Sequence, residues 1–222
     1  IMKDELIVFS KPKSNISEDI RTIRTNLKFT ANDDAKVLLV TSSVPGEGKS
    51  FISSNLAAAF AQTGEKVLLV DADLRLGRVH KIFNQSAAKG FSNMLISGTS
   101  EDLPEYIKKT TIPNLYIVSR GTVPPNPSEL LNSSSCKKLV NIFRENFDRV
   151  IFDGVPVNGL PDSLVLANLV DRVIIVTTIG YTSIDELNQT KKALEQIDAN
   201  IAGVVVNKAP TTKRGKYSNY YE

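Results

Sequence analysis

The chain is poor in the residues that build covalent or metal-held frameworks: among 222 residues it has one cysteine, Cys136, and one histidine, His80. A lone cysteine excludes a disulfide framework within the chain and suits the cytoplasm. One histidine leaves little material for a Cys/His zinc site or a Ser-His-Asp triad. No apolar run approaches the roughly 20 residues that a membrane-spanning helix needs, and no signal-peptide-like apolar region stands near the start. Membrane attachment is therefore expected to come from a partner. Charge of one sign is also lacking. The 27 Lys and Arg stand against 24 Asp and Glu, a net +3, too small an excess to point to nucleic acid. No Ser/Gly/Pro-rich linker divides the chain, and 41% of it is hydrophobic, enough for one sizeable core. Ile1 precedes Met2, an order that suggests excision from a longer chain.

Short β-branched runs recur with helix-like segments between them: Val37 to Thr41, Val67 to Val70, Leu115 to Val118, Val150 to Phe152, Val173 to Thr177 and Ala202 to Val206. Most are apolar on both faces, as strands of a parallel sheet are when helices cover both sides. The pattern predicts a doubly wound α/β domain over residues 1–212. Helices are expected over Ser50 to Gln62, stopped by Gly64, and over Ser183 to Ile197, with Asp185 and Glu186 in the first turn. Near the N-terminus, Ser17 to Arg24 reads as a capped helix with Ile20, Ile23 and Leu27 on its apolar side. Residues 213–222 carry no apolar periodicity and read as a flexible tail.

After the first strand comes Ser43-Val44-Pro45-Gly46-Glu47-Gly48-Lys49-Ser50, then an apolar helix from Phe51. Strand, glycine-rich turn and helix together form a phosphate loop. The glycines let backbone N–H groups converge on phosphate, the helix N-terminus adds its dipole, Lys49 reaches the β- and γ-phosphates, and Ser50 offers a hydroxyl to Mg²⁺. Ser43 stands where the usual pattern has glycine. Gly46, Glu47, Gly48, Lys49, Ser50 and Phe51 are thus expected to line a nucleotide, ATP. Phosphoryl transfer also needs carboxylates near the γ-phosphate. Two buried strands end in them, Val67 to Asp71-Ala72-Asp73 and Val150 to Asp153, and ligands sit beyond the carboxyl ends of such strands.

With these features in place, the chain resembles the bacterial tyrosine kinases of capsular and exopolysaccharide biosynthesis, the BY-kinases, of the stand-alone cytoplasmic Gram-positive type. The matching residues are the phosphate loop, the acidic strand Val67 to Asp73 (the family's Walker A′), the strand ending in Asp153 (its Walker B) and Gly121 to Leu131. That last stretch contains Pro-Pro-Asn-Pro-Ser-Glu-Leu-Leu. Glu18-x-x-Arg21-x-x-Arg24 and the terminal tyrosines complete the set. The resemblance implies that Lys49 and Ser50 contact phosphates and Mg²⁺, and that Asp71, Asp73 and Asp153 organise the metal and the attacking phenol. Ser50, Asp71 and Asp153 would be the metal-side residues. Asp71 is the first choice of base for a phenol whose ordinary pKa is about 10. Asn207 would read adenine, or be only a polar residue at a strand end. Glu18, Arg21 and Arg24 would join subunits of a ring, and Tyr217, Tyr220 and Tyr221 would accept phosphate in trans. A membrane adaptor would switch the kinase on through its cytoplasmic tail, at the inner face of the membrane.

The chain departs from the family beside Asp153, where Asp153-Gly154-Val155-Pro156 replaces the usual Asp-Thr-Pro-Pro. Two other readings compete. One is a partition-type switch ATPase; that class carries a lysine near the start of its phosphate loop, where this chain has Val44. The other is a nucleotide-binding scaffold for polysaccharide export without kinase activity.

Overall fold

The computed structural model describes residues 5–30, 35–97 and 103–209; the tail with Tyr217, Tyr220 and Tyr221 lies outside the described residues. The described strands are β1 (Val37–Ser42), β2 (Val67–Asp71), β3 (Lys108–Lys109), β4 (Leu115–Val118), β5 (Arg149–Pro156), β6 (Arg172–Thr178) and β7 (Ile201–Asn207). They form one sheet in the order β3-β4-β2-β5-β1-β6-β7. Pairing is parallel throughout except for the short β3 against β4. The helices are α1 (Ile7–Ser10), α2 (Asn15–Thr30), α3 (Lys49–Ala61), α4 (Val79–Ile82), α5 (Phe91–Ser97), α6 (Leu103–Tyr106), α7 (Pro127–Leu131), α8 (Ser134–Asn146), α9 (Asp162–Ala167) and α10 (Ile184–Glu195).

Side chains alternate across a strand, so a strand covered on both faces is apolar at every position. β1 follows this rule. Leu38 and Val40 join a core with Ile52, Leu56 and Phe60 of α3 and Ile20 of α2. Val37 and Leu39 face the other way, into a core with Phe91, Phe143 and Leu166 of α5, α8 and α9. The all-alanine stretch Ala57-Ala58-Ala59 lets α3 lie close to the sheet on one side and α2 on the other, and all three are fully buried. The N-terminal segment is held to α3 by Asn55, which accepts from Val8 N at 3.0 Å and donates to Glu5 O at 2.7 Å. At the other end of β1, Asp171 accepts from Val37 N at 2.8 Å while gripping Arg144 through both oxygens at 2.5 and 2.7 Å.

All six predicted strands are present. The N-terminal helix begins earlier than expected: Ser14, not Ser17, stands before its start, its hydroxyl accepting from Ser17 N at 3.2 Å. Ser17 is buried inside the first turn, its hydroxyl donating to Lys11 O at 2.8 Å. Cys136 is fully buried rather than partly so, and burial pushes its thiol pKa up to about 12.

The departure at Gly154 has a steric reason. A Cβ there would lie 2.7 Å from Ser163 Oγ, 2.8 Å from Leu39 Cδ1 and 3.2 Å from Val40 O. Those neighbours occupy the volume a threonine would need. The next carbonyl, Val155 O, accepts from both Thr41 and Ser163 hydroxyls at 2.6 Å. Gly154→Thr is therefore expected to destabilise the protein by about 1–3 kcal/mol through overpacking, read from the urea midpoint. An unchanged midpoint would show that the Leu39 side yields freely.

Candidate active site

Between β1 and α3 the chain turns through residues 43–48 with Gly46 at φ +84° and Gly48 at φ +94°. Gly48 has a second constraint, since a Cβ on it would lie 2.1 Å from Asn207 Nδ2. Glu47 holds the turn from beneath. Its buried carboxylate accepts from Val44 N at 2.9 Å, Thr178 N at 3.2 Å and the Thr182 hydroxyl. The end of β7 latches the same turn from the side: Asn207 Nδ2 donates to Glu47 O at 2.8 Å and Lys208 Nζ to Gly46 O at 3.1 Å. With these carbonyls engaged, backbone amides are the groups left to meet an anion. The Glu47 side chain thus shapes the loop from the protein side, and only its backbone is available to phosphate.

The loop opens onto a cleft lined by Gly46, Lys49, Ser50, Phe51, Asp73 and Asn207, among others. Asp71, the last residue of β2, is paired in register with Asp153, which lies three residues before the end of the adjacent strand β5 rather than at its end as the sequence suggests. Both are buried. Burial raises the Asp153 pKa to about 6, opposed by the Ser50 hydroxyl and the Lys49 ammonium. Neither Asp153 oxygen has a well-formed hydrogen bond, so the two hydroxyls nearby, Ser50 and Ser53, face it without the alignment to satisfy it. Lys49 is pulled down by burial and back up by Asp153, Asp73 and Glu47. Asp71 is raised well above the usual carboxylate range, first by burial and then by Asp153 and Asp73. It is roofed by Gly77, whose Cβ would lie 2.4 Å from Oδ1, and it accepts from Val79 N at 3.1 Å. Asp73 stands on the cleft wall; its Oδ1 accepts from Arg75 N at 3.1 Å and Leu76 N at 2.8 Å.

Several participants were invisible in the sequence. Ser128, from the Pro-Pro-Asn-Pro-Ser-Glu-Leu-Leu stretch, donates at 2.5 Å to Asp162. Asp162 in turn holds Arg75 at 3.0 and 3.2 Å. Arg120 donates to Arg75 O at 2.9 Å. Arg75 lines the cleft two residues beyond Asp73, so that stretch reaches the site through a relay centred on the buried Asp162. Lys208 follows Asn207 at a strand end, and nothing local in the sequence announces its latch. On α2, Glu18 and Arg21 form an ion pair, Arg21 also donates to Pro12 O at 2.8 Å, and Arg24 donates to Ala59 O at 2.7 Å. These three stand on α2 away from the residues that line the cleft.

A phosphate loop on a parallel sheet, faced by acids from two neighbouring strands, defines a P-loop nucleotide-binding protein. Residues 35–205 match the AAA domain family AAA_31. The chain is 36% identical over 217 residues to the putative tyrosine-protein kinase CapB of Staphylococcus aureus, covering 97% of this chain and 94% of that protein. It is 36% identical over 220 residues to the tyrosine-protein kinase YwqD of Bacillus subtilis (strain 168), covering 99% and 92%. The crystal structure of the chimerical protein CapA2B2 superposes with a TM-score of 0.89 at 37% identity, over 93% of this chain and 91% of that one. The chain belongs to the AAA_31 family and, within it, to the bacterial tyrosine-protein kinases.

An acid whose pKa is raised on folding costs stability above its folded pKa and nothing below its unfolded pKa of about 3.9. For Asp153 that window runs from about pH 6 down to about pH 4, and two pKa units correspond to on the order of 3 kcal/mol. In urea titrations without nucleotide or metal, Asp153→Asn is expected to be more stable than the unmodified chain at pH 8. The gap should shrink as pH falls to 4.5. A gap that stays constant would remove the burial cost assigned to this carboxylate.

Proposed function

We propose that the cleft binds ATP and Mg²⁺ and transfers the γ-phosphate to Tyr217, Tyr220 and Tyr221 of a neighbouring copy. The observation that carries this reading is the pair of buried, unpartnered Asp153 oxygens beside Ser50 and Lys49, an arrangement that fits a divalent cation. Ser50 and Asp153 would hold the ion, with Asp71 beside them in register; when bound, it neutralises charge on the β- and γ-phosphates. Lys49 and the loop amides bind and orient the phosphates, while Glu47 keeps the loop in shape. Asp71 takes the phenol proton. Its Oδ1 has no other partner; the Gly77 roof must shift for a phenol to reach it. Asp73, already on the cleft wall, orients the acceptor.

The relatives named as tyrosine kinases support the same chemistry. By analogy with the family, the kinase serves capsular or exopolysaccharide synthesis in the cytoplasm. Glu18, Arg21 and Arg24 would join it into a ring, and the cytoplasmic tail of a membrane adaptor would bring it to the membrane and activate it. Among the described residues no helix is long and apolar enough to cross a membrane, so anchoring is assigned to that partner. Asn207 is assigned to adenine, its amide already positioned by the Glu47 carbonyl.

With Mg-ATP, phosphate is expected on Tyr217, Tyr220 and Tyr221 by peptide mass spectrometry. Asp71→Asn should lower the transfer rate at least 100-fold while leaving ADP affinity within about threefold, as expected of a base. If Asp71→Asn transfers normally and Asp73→Asn does not, the base is Asp73. A tail that stays unmodified would favour the scaffold reading.

A further inference from the structure

The segment joining β6 to α10 lies against the phosphate loop and carries Tyr181. Among the described tyrosines it stands apart: it is 60% exposed, whereas Tyr106 and Tyr116 are half-buried. Tyr116 also packs edge-on against Phe147, with ring centroids 5.7 Å apart. The Tyr181 hydroxyl oxygen would be 3.4 Å from a Cβ on Gly46, so the phenol rests on the outer face of the turn that cradles phosphate. Its mount is rigid. Thr178 N and the Thr182 hydroxyl, on either side of it, both donate to the same Glu47 carboxylate. Beside it Ile179 and Ile184 are exposed at 58% and 78%, an apolar apron around one polar group.

We propose that Tyr181 is a further phosphoacceptor of this kinase and that its phosphorylation closes the nucleotide site. The proposal rests on the kinase reading above. Tyr181 does not line its own cleft, so the donor is a second copy. The Tyr181 oxygen attacks the γ-phosphorus of ATP in that copy, the bond from γ-phosphorus to the β–γ bridging oxygen breaks, and ADP leaves. The phenol proton passes to the donor's carboxylate and then to water.

The consequence follows from charge and from the Glu47 mount. A tyrosine phosphate carries about −1.5 to −2 charges, placed here against the loop that must accept the phosphates of ATP. Lys208 latches the same residue that Tyr181 rests on, its ammonium donating to Gly46 O at 3.1 Å. A phosphate on Tyr181 competes for that ammonium and repels an incoming nucleotide. The loop thus loses a latch and gains a like charge, and a highly phosphorylated pool binds nucleotide poorly.

The test uses an acceptor chain carrying Lys49→Met, Tyr217→Phe, Tyr220→Phe and Tyr221→Phe, mixed with unmodified chain as donor and Mg-ATP. Peptide mass spectrometry is expected to find phosphate on Tyr181 of the acceptor. Unmodified chain taken to full phosphorylation should then bind a fluorescent ADP analogue at least tenfold more weakly than after phosphatase treatment. In Tyr181→Phe the two treatments should agree within about twofold, with tail phosphorylation preserved. Phosphate on the donor's tail but none on Tyr181 overturns this proposal alone, and absence of phosphotyrosine from every chain overturns the tail reading as well. Equal weakening in Tyr181→Phe would move the effect to the tail.

Discussion

Two buried carboxylates standing side by side on neighbouring parallel strands are the constraint on which the remaining structure depends. The register that sets Asp71 against Asp153 is fixed by the β2 and β5 ladders, and those ladders are fixed by apolar side chains packed on both faces. Burying two acids together costs free energy that such a core must offset. The acids repel one another and leave oxygens without partners. A polyvalent ligand that brings positive charge relieves that tension. The site is therefore least comfortable empty, and the sheet around it is what allows it to remain so.

The sheet was legible in the sequence because each strand is a short apolar run bounded by polar residues, and all six predicted runs became strands. β3 was not, because two residues of a lysine pair have no period to read. The phosphate loop and its acids were legible for a similar reason: their chemistry follows from residue type at fixed spacing next to a strand. What the sequence hid is what long-range packing creates. Glu47 reads as a loop residue among candidates for nucleotide contact, yet its carboxylate turns inward to Thr178 and Thr182, 131 and 135 residues away. Arg75 draws no reading from the sequence, because Asp162 and Ser128, which hold it, lie 87 and 53 residues further on.

Gly154 illustrates how a local departure is absorbed. Gly154 leaves room for Leu39, Val40 and Ser163 to stand where a Cβ would be, and Val155 O collects the hydroxyls of Thr41 and Ser163. The Asp153 carboxylate stands beside Ser50 and Lys49, and none of the neighbours of Gly154 belongs to that group.

The latch at the end of β7 also sets a leash. Since Asn207 and Lys208 are bound to the carbonyls of the phosphate loop, the chain beyond them sets out from the lip of its own cleft. From Ala209 the path to Tyr217 is 8 residues and to Tyr221 is 12, or at most about 28 and 42 Å of fully stretched chain. Any assembly in which one copy serves another must keep neighbouring clefts within that reach. The outermost tyrosines can then visit more distant clefts than the innermost one can.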